Sequence, residues 1–331
     1  MLLHGMKPYF RKILLCSFLC VAANAVLAQP SATVKRYMDE VCRIIEKQYI
    51  FIDSIDLPAA RRQVMPMLDS AESTKDIYPA IEAMLRNIGA IHMHILPPSV
   101  SSQIRFDTTK IIYPSSKLLD DSIGYIKVPY YLSPEKMMMI WADSLLSQIM
   151  TLDRHALKGW IIDLRGNWGG AQGPMIAGLI PLIPEGLLWS NYGRHGKPVG
   201  STWSRGGYFF ERNEKGGGWS FPTQYQHDLR QKQLPVAVLM DSTTGSSGER
   251  AAIALLTNPN ARSFGGRSGG LLTGNTNTIL SDGAMLIITI AIMKDRNGHA
   301  FPDRLIPDFP VQPVAGTDRV LDAARKWLDC H

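Results

Sequence analysis

Residues 160–173 read WIIDLRGNWGGAQG. The run at 160–164 is apolar apart from Asp163 and ends at turn-forming residues, which predicts a strand buried in a parallel sheet. The glycines after it predict a tight turn, and a helix is expected from about Gly173. Strand–turn–helix units of this kind are typical of α/β folds, in which helices cover a mostly parallel sheet.

The same alternation continues on both sides of this unit. We predict strands at 123–131, 235–240, 273–280 and 284–293, the last two joined by a hairpin turn at 281–283, and helices at 133–152, 246–256 and 317–328. Residues 190–230 are rich in Gly, Trp, Tyr and Ser without a clear period. There we expect an irregular excursion or a lid.

The N-terminal part has a different pattern. Apolar residues at three- and four-residue spacing predict helices, namely at 32–49, 58–73 and 75–88. A Pro- and Ser-rich stretch at 97–102 then predicts a boundary. We therefore expect a leader at 1–28, a small helical domain at 29–98 and a core domain at 99–331.

Residues 1–28 have the layout of a secretory signal peptide. Three basic residues precede an apolar stretch that ends at Ala28. Small or apolar residues occupy the −3 and −1 positions before a cleavage site after Ala28, as signal peptidase requires. The apolar run of ~16 residues is shorter than the ~20 needed to span a bilayer, which disfavours a membrane anchor. Lipid attachment at Cys20 is a weaker alternative because the bulky Phe18 and Leu19 precede it. The protein is thus expected to be periplasmic or secreted, with no stable membrane span.

Composition and charge restrict the class of protein. The chain has 331 residues, of which 45% are hydrophobic and 19% charged, and this excludes a disordered chain and a coiled coil. The formal net charge of +6 falls to about +3 without the leader, which argues against a nucleic-acid partner. Cys42 and Cys330 remain in the mature chain, and either one disulfide or two free thiols fits an exported protein.

The glycine-rich turn at 163–170 is the first segment with possible chemistry. Such a turn can present backbone N–H groups to an anion or to an oxyanion that develops during a reaction. A plain strand–helix connection is the alternative. The segment lacks the Gly-Lys-Ser/Thr ending of a phosphate-binding loop and the three-glycine spacing of a dinucleotide-binding turn.

Residues 241–249, which read DSTTGSSGE, lie between a predicted strand and a predicted helix. Ser246 would stand at the helix N-terminus, where a nucleophile is exposed and the helix dipole favours negative charge. Ser246 and Glu249 also have the spacing of a capping box, which is a structural role. The spacing is not Gly-x-Ser-x-Gly, which disfavours an α/β-hydrolase.

His92 and His94 close the helical part. On an extended segment their side chains share one face, so a metal pair is conceivable. The other six histidines are scattered without ligand spacing, however, and we expect neither a metal nor a cofactor. A general base for a serine nucleophile is the more specific interpretation.

Together these segments resemble the tail-specific (C-terminal processing) serine peptidases. The turn at 163–170 matches their Asp-Leu-Arg-Gly-Asn-x-Gly-Gly signature, and 244–249 is similar to their Thr-Ala-Ser-Ala-Gly-Glu nucleophile segment. The likeness spans roughly residues 85–312 in family order and spacing, with further matches at 262–265, 273–275, 281–283 and 306–308. It implies an α/β fold with a crotonase-like (ClpP-like) spiralled β-sheet core and flanking helices. It also implies hydrolysis of peptides or unfolded proteins through an acyl-enzyme.

By position, the resemblance makes Ser246 the nucleophile. The backbone N–H groups of Ser247 and of Gly169 or Gly170 would form the oxyanion hole. The base of the tail-specific branch is a lysine, but Leu271 stands in its place, and the segment between Pro98 and Ile123 is too short for the PDZ module of that branch. Both departures favour the branch that resembles the tricorn core protease, in which the base is a histidine.

His92 is then the predicted base, within GAIHM at 89–93 where that branch has Gly-Asp-x-His-Ser/Thr, and His94 is the fallback. In the tricorn-like branch an acidic residue near the C-terminal end of the core assists the histidine base, and the resemblance places Asp303 near that position. The leading hypothesis is an exported serine endopeptidase that uses Ser246 and His92. Two alternatives stay open: a catalytically inactive binding protein for peptides or apolar ligands on the same fold, and an esterase or amidase with the same machinery.

Overall fold

The computed structural model describes residues 31–221, 228–231, 233–300 and 304–331, so the predicted leader at 1–28 lies outside the described residues. The described α-helices are α1 (Ala32–Gln48), α2 (Leu57–Val64), α3 (Tyr78–Asn87), α4 (Pro98–Phe106), α5 (Met138–Leu152), α6 (Gln172–Leu179), α7 (Ser247–Leu256) and α8 (Arg319–Leu328). The described strands are β1 (His94–Leu96), β2 (Ser115–Leu119), β3 (Ile123–Lys127), β4 (Gly159–Asp163), β5 (Gly186–Tyr192), β6 (Pro198–Arg205), β7 (Tyr208–Asn213), β8 (Gly218–Phe221), β9 (Val236–Met240), β10 (Ala261–Gly265), β11 (Thr273–Ile279), β12 (Met285–Asp295) and β13 (Phe309–Pro310).

The first sheet is mostly parallel and has helices on both faces. Its strand order is β13-β10-β9-β4-β3-β2, and β2 alone among these described strands runs antiparallel to its neighbour. Strand β4 is buried along its whole length between β3 and β9. Helix α8 packs on one face of the sheet through Ala324 and Leu328, while α5, α6 and α7 cover the other. The α/β unit predicted around 160–173 is confirmed.

The second sheet is antiparallel and has the order β1-β12-β5-β6-β7-β8, with β11 also paired to β12. The β11–β12 hairpin confirms the one predicted around 281–283. The irregular excursion expected at 190–230 was wrong for the described residues up to 221, because β5 to β8 form an ordered meander there. The buried positions of β6 include Thr202 and Ser204, so this strand lacks the alternation of apolar and polar residues by which a strand is recognised.

Helices α1 and α3 form close to the predicted ranges, whereas α2 ends at Val64 and the prediction of one helix to residue 73 was wrong, because a short 3-10 helix follows at Met65–Leu68. The three helices pack on the second sheet. Their hydrophobic cluster includes Leu286 and Ile288 of β12, so the helical part shares a core with the hairpin. The Pro- and Ser-rich stretch at 97–102 is not an irregular linker, because helix α4 begins at Pro98. Pro98 occupies the first helical position, where its missing N–H would have no helical partner in any case.

The two cysteines among the described residues are free thiols. Cys42 is buried among the N-terminal helices, and burial raises the pKa of its thiol to about 11, so it stays protonated at neutral pH. Cys330 is exposed just after α8. Within the described ranges, no helix is long and apolar enough to cross a membrane.

Candidate active site

The glycine-rich turn after β4 lies directly against Ser246. Gly169 has a φ of +117°, and a Cβ atom on it would lie 2.7 Å from the Cβ atom of Ser246, so the close approach requires glycine. The buried Asn167 holds the turn in place: its Oδ1 accepts from the N–H of Gly169 (3.0 Å), and its Nδ2 donates to two carbonyls just beyond β3. The main-chain carbonyl of Asn167 accepts from the N–H of Gly245 at 2.9 Å. The asparagine therefore joins the two loops.

The charged residues of the same motif anchor the turn. Asp163 is 1% exposed and accepts from the guanidinium of Arg165 (2.7 Å), the hydroxyl of Tyr125 (2.7 Å) and the ammonium of Lys127 (3.2 Å). Arg165 also pairs with Asp318, which caps α8, at 2.6 Å. Burial acts to raise the pKa of Asp163, but the Arg165 hydrogen bonds and the Lys127 charge hold that pKa below its usual range. These groups are engaged with one another and fix the end of β4.

Ser246 immediately precedes α7 in a strained conformation. Its φ of +52° and ψ of −116° lie in a region that residues with a side chain rarely adopt, at a typical cost of about 1–3 kcal/mol. The residue is partly exposed, and its N–H donates to the carboxylate of Glu249 at 2.8 Å. A strained, accessible serine at a helix N-terminus is an arrangement suited to a nucleophile.

Glu249 fixes the loop that packs beside Ser246. Its carboxylate is fully buried and accepts from the N–H groups of Ser246 (2.8 Å), Gly270 (2.9 Å) and Leu271 (2.8 Å) and from the hydroxyl of Ser268. Burial raises the pKa of this carboxyl, although the four donated hydrogen bonds lower it. The backbone N–H of Leu271 thus helps to hold Glu249.

His92 lies in the turn before β1, with Nδ1 2.6 Å from the Oγ1 of Thr273. Asn275 supports this pair: its Nδ2 donates to the carbonyl of His92 (3.0 Å), and its Oδ1 accepts from the hydroxyls of Thr273 (3.2 Å) and Thr289 (3.0 Å). Since an amide oxygen can only accept, the Thr273 proton points to Asn275, and the Thr273 oxygen accepts from Nδ1–H of His92. This arrangement leaves Nε2 of His92 unprotonated.

The surroundings keep the imidazole of His92 neutral. Burial, together with the positive charge of Arg250, lowers its pKa to about 4. His94, by contrast, is half-exposed, with Nδ1 3.6 Å from Oε2 of Glu82. Asp303 lies outside the described residues.

Thr273 links His92 to the helix of the candidate nucleophile. Its carbonyl accepts from Nη2 of Arg250 at 3.3 Å, and Arg250 lies one turn after Ser246 on α7. Contacts thus run without a gap from His92 through Thr273 to α7, at the junction of the two sheets. The family-like segment at 273–275 indicated that these residues belong to the site. The sequence alone assigned no role to Thr273, Asn275 or Arg250.

The turn and α7 also supply backbone donors. Among the described residues, no hydrogen bond is donated by the N–H of Gly170 or Ser247, whereas the N–H of Gly169 donates to Asn167. The hydroxyl of Ser247 donates to the carbonyl of Gly170 at 2.6 Å, so these two residues are neighbours. N–H groups without an internal acceptor on two neighbouring residues are candidates for binding an oxyanion. For metals, the described part of the chain holds no group of three or more His, Cys, Asp or Glu that could bind one.

Comparisons with known proteins find relatives over most of the chain. The family model for peptidase family S41 matches residues 122–311. The nisin-resistance protein of Lactococcus lactis subsp. lactis is 27% identical over 307 residues, which are 92% of this chain and 89% of that protein. The structure of a lipoprotein from Streptococcus agalactiae is similar with a TM-score of 0.72 and 23% identity, covering 91% of this chain and 97% of that one. The photosystem II D1 C-terminal processing protease is similar with a TM-score of 0.56 and 13% identity, covering 90% and 98%.

Proposed function

The chain belongs to peptidase family S41, and from this premise we propose that it is an exported serine endopeptidase with Ser246 as nucleophile and His92 as general base. One observation carries the proposal: Thr273 contacts both the neutral, oriented His92 and Arg250, whose N–H donates to the carbonyl of the strained, accessible Ser246. Leucine at position 271 cannot accept a proton, which supports a histidine base as in the tricorn-like branch. The signal-peptide pattern of residues 1–28 supports export to the periplasm or beyond.

In the first half-reaction, Oγ of Ser246 attacks the peptide carbonyl and its proton passes to Nε2 of His92. The imidazolium then gives this proton to the leaving amine, and an ester on Ser246 remains. In the second half-reaction, water loses a proton to the same Nε2 and its oxygen attacks the ester carbonyl. The acyl–Oγ bond then breaks, the imidazolium returns the proton to Oγ of Ser246, and the acid product leaves. The N–H groups of Gly170 and Ser247 stabilise the oxyanion of both steps. Gly170 is preferred to Gly169 because the N–H of Gly169 already donates to Asn167.

The group that orients His92 is Thr273, which Asn275 supports in turn. A neutral hydroxyl fixes the tautomer of the imidazole as a carboxylate would, but it stabilises the imidazolium less. Asp303, the acid predicted from the resemblance, lies outside the described part and stays a prediction. The proposal therefore describes a dyad of Ser246 and His92 with an uncharged positioning residue.

The function is tested by digestion of unfolded casein and a mixed peptide library with the mature protein, and the fragments are read by mass spectrometry. The library includes nisin, because a relative with 27% identity is named for resistance to it. We expect fragments with wild-type protein and none with the Ser246→Ala variant. If neither protein cuts and neither is labelled by a fluorophosphonate, the inactive binding protein replaces the peptidase. Selective cleavage of small esters would instead favour the esterase alternative.

The pH dependence follows from the pKa of His92, which burial holds at about 4 against an ordinary value of 6.5. Only neutral imidazole accepts the Ser246 proton, so kcat/KM is expected to rise with pH through about pH 4 and to be flat near neutrality. The measurement is kcat/KM from about pH 3 to 8 on an uncharged peptide, with circular dichroism at each pH as the control for folding. A midpoint near the ordinary histidine value would contradict the assignment of this buried group as base.

A further inference from the structure

Arg250 is a charged side chain at the junction of the two sheets with only neutral partners. Its Nη1 donates to Oε1 of Gln172 and its Nη2 to the carbonyl of Thr273 at 3.3 Å. The ring of Trp189 lies 5.7 Å from the guanidinium carbon. Among the described residues, no carboxylate lies within ion-pair distance of this arginine.

The nearby acids are engaged elsewhere. Glu211 accepts from Nε2 of Gln172, so it meets the arginine through an amide and not directly. Glu249, the preceding residue, is surrounded by its own four donors. A guanidinium has five N–H donors, and two of those of Arg250 are in use. Glu211 and Glu249 attract the guanidinium through space, but neither is in contact with it. A buried cation with no anion in contact is unfavourable, so its presence at the junction points to an anion that arrives with a ligand.

The position of Arg250 defines where that anion would lie. Residues four apart on a helix share one face and are about 6 Å apart along the axis, which places Arg250 next to Ser246. Thr273 contacts both Arg250 and His92. Arg250 as a whole residue is neither fully buried nor fully exposed. A substrate group bound by Arg250 would therefore belong to a residue of the peptide within a few positions of the cleaved bond.

We propose that Arg250 binds a carboxylate of the peptide substrate close to the cleaved bond. The planar guanidinium matches a carboxylate with two parallel hydrogen bonds, which makes Arg250 a specificity residue. The carboxylate belongs either to an Asp or Glu side chain or to the end of the peptide chain. This inference rests on the proposed peptidase function.

The test uses paired peptides built on a sequence that the wild-type protein cuts. In one pair Glu replaces Gln at each position near the cleaved bond in turn, and in the other a free C-terminal carboxylate replaces an amide. We expect wild-type kcat/KM to favour the carboxylate peptide by about 10- to 100-fold, and the pair that shows this preference identifies its source. The preference should vanish in Arg250→Gln and persist in part in Arg250→Lys. Arg36→Gln, which removes an exposed arginine on α1, is the matched control and should leave it unchanged.

Two results would overturn the inference. One is that Arg250→Gln lowers kcat/KM for all peptides by the same factor, which would indicate a structural or electrostatic role of Arg250. The other is a wild-type protein that shows no preference for a carboxylate in either pair; this comparison needs no variant and holds even if Arg250→Gln does not fold. Labelling with an uncharged fluorophosphonate separates the two proposals. A labelled wild-type protein without the preference rejects only the role of Arg250, whereas a protein that neither reacts nor cleaves rejects the peptidase itself.

Discussion

Replacement of Ser246 by alanine is expected to lower kcat/KM for every cleaved peptide by about 10⁴- to 10⁶-fold. The change removes the oxygen that forms the acyl-enzyme and leaves the backbone donors of Gly170 and Ser247 in place. Alanine adopts the φ of +52° no more readily than serine, so the strain at this position and the fold should be unchanged. Steady-state cleavage of a peptide from the library measures the effect, with thermal unfolding as the control for stability.

The neighbouring serine provides the matched variant. Ser247→Ala removes a hydroxyl that donates to the carbonyl of Gly170, but it keeps the N–H assigned to the oxyanion hole. A single neutral hydrogen bond is lost, so we expect at most about a 10-fold decrease in kcat/KM. The assignment of Ser246 would be wrong if the two variants behaved in the opposite way, with Ser247→Ala inactive and Ser246→Ala active.

The second large effect is expected at His92. His92→Ala removes the group that accepts the Ser246 proton, and kcat should fall by about 10³- to 10⁶-fold with little change in KM. His94→Ala is the matched control, because His94 is half-exposed beside Glu82 and should be dispensable. The measurement is kcat and KM for the same peptide, with circular dichroism to show that both variants are folded. An inactive His94→Ala beside an active His92→Ala would assign the base to the fallback residue.

Variants of Thr273 test whether its hydroxyl positions His92 for catalysis. Thr273→Val keeps the shape of the side chain but removes the oxygen 2.6 Å from Nδ1 of His92, and kcat should fall by about 10-fold. Thr273→Ser restores the oxygen and should restore most of kcat. Equal activity of the valine and serine variants would show that the hydroxyl does not position His92.

The sequence is most informative about segments whose chemistry is local. The run at 160–164 and the glycines after it predict β4 and its turn, because an apolar strand and a tight turn need no information from elsewhere in the chain. Motif spacing also singles out Ser246 and His92. It does not reveal Thr273 as the partner of His92, since the two are 181 residues apart and meet only once β11 and β12 pair.

Other features of the site and the fold depend on side-chain contacts that the order of residues in the sequence does not reveal. The choice between Gly169 and Gly170 rests on the side chain of Asn167, which takes up the N–H of Gly169. The meander of β5 to β8 escapes prediction because buried Thr202 and Ser204 interrupt the apolar alternation. The crotonase-like spiral and the domain boundaries at 28 and 98 stay predictions.

The central claim is that Ser246 is the nucleophile, and mapping of a covalent adduct tests it most directly. The mature protein is labelled with a fluorophosphonate, digested, and analysed by tandem mass spectrometry, with Ser246→Ala and His92→Ala treated in parallel. We expect one adduct, on Ser246, that is absent from the Ser246→Ala variant and forms slowly in the His92→Ala variant. An adduct on Ser247 or another residue, in a protein that cleaves peptides, would contradict the claim.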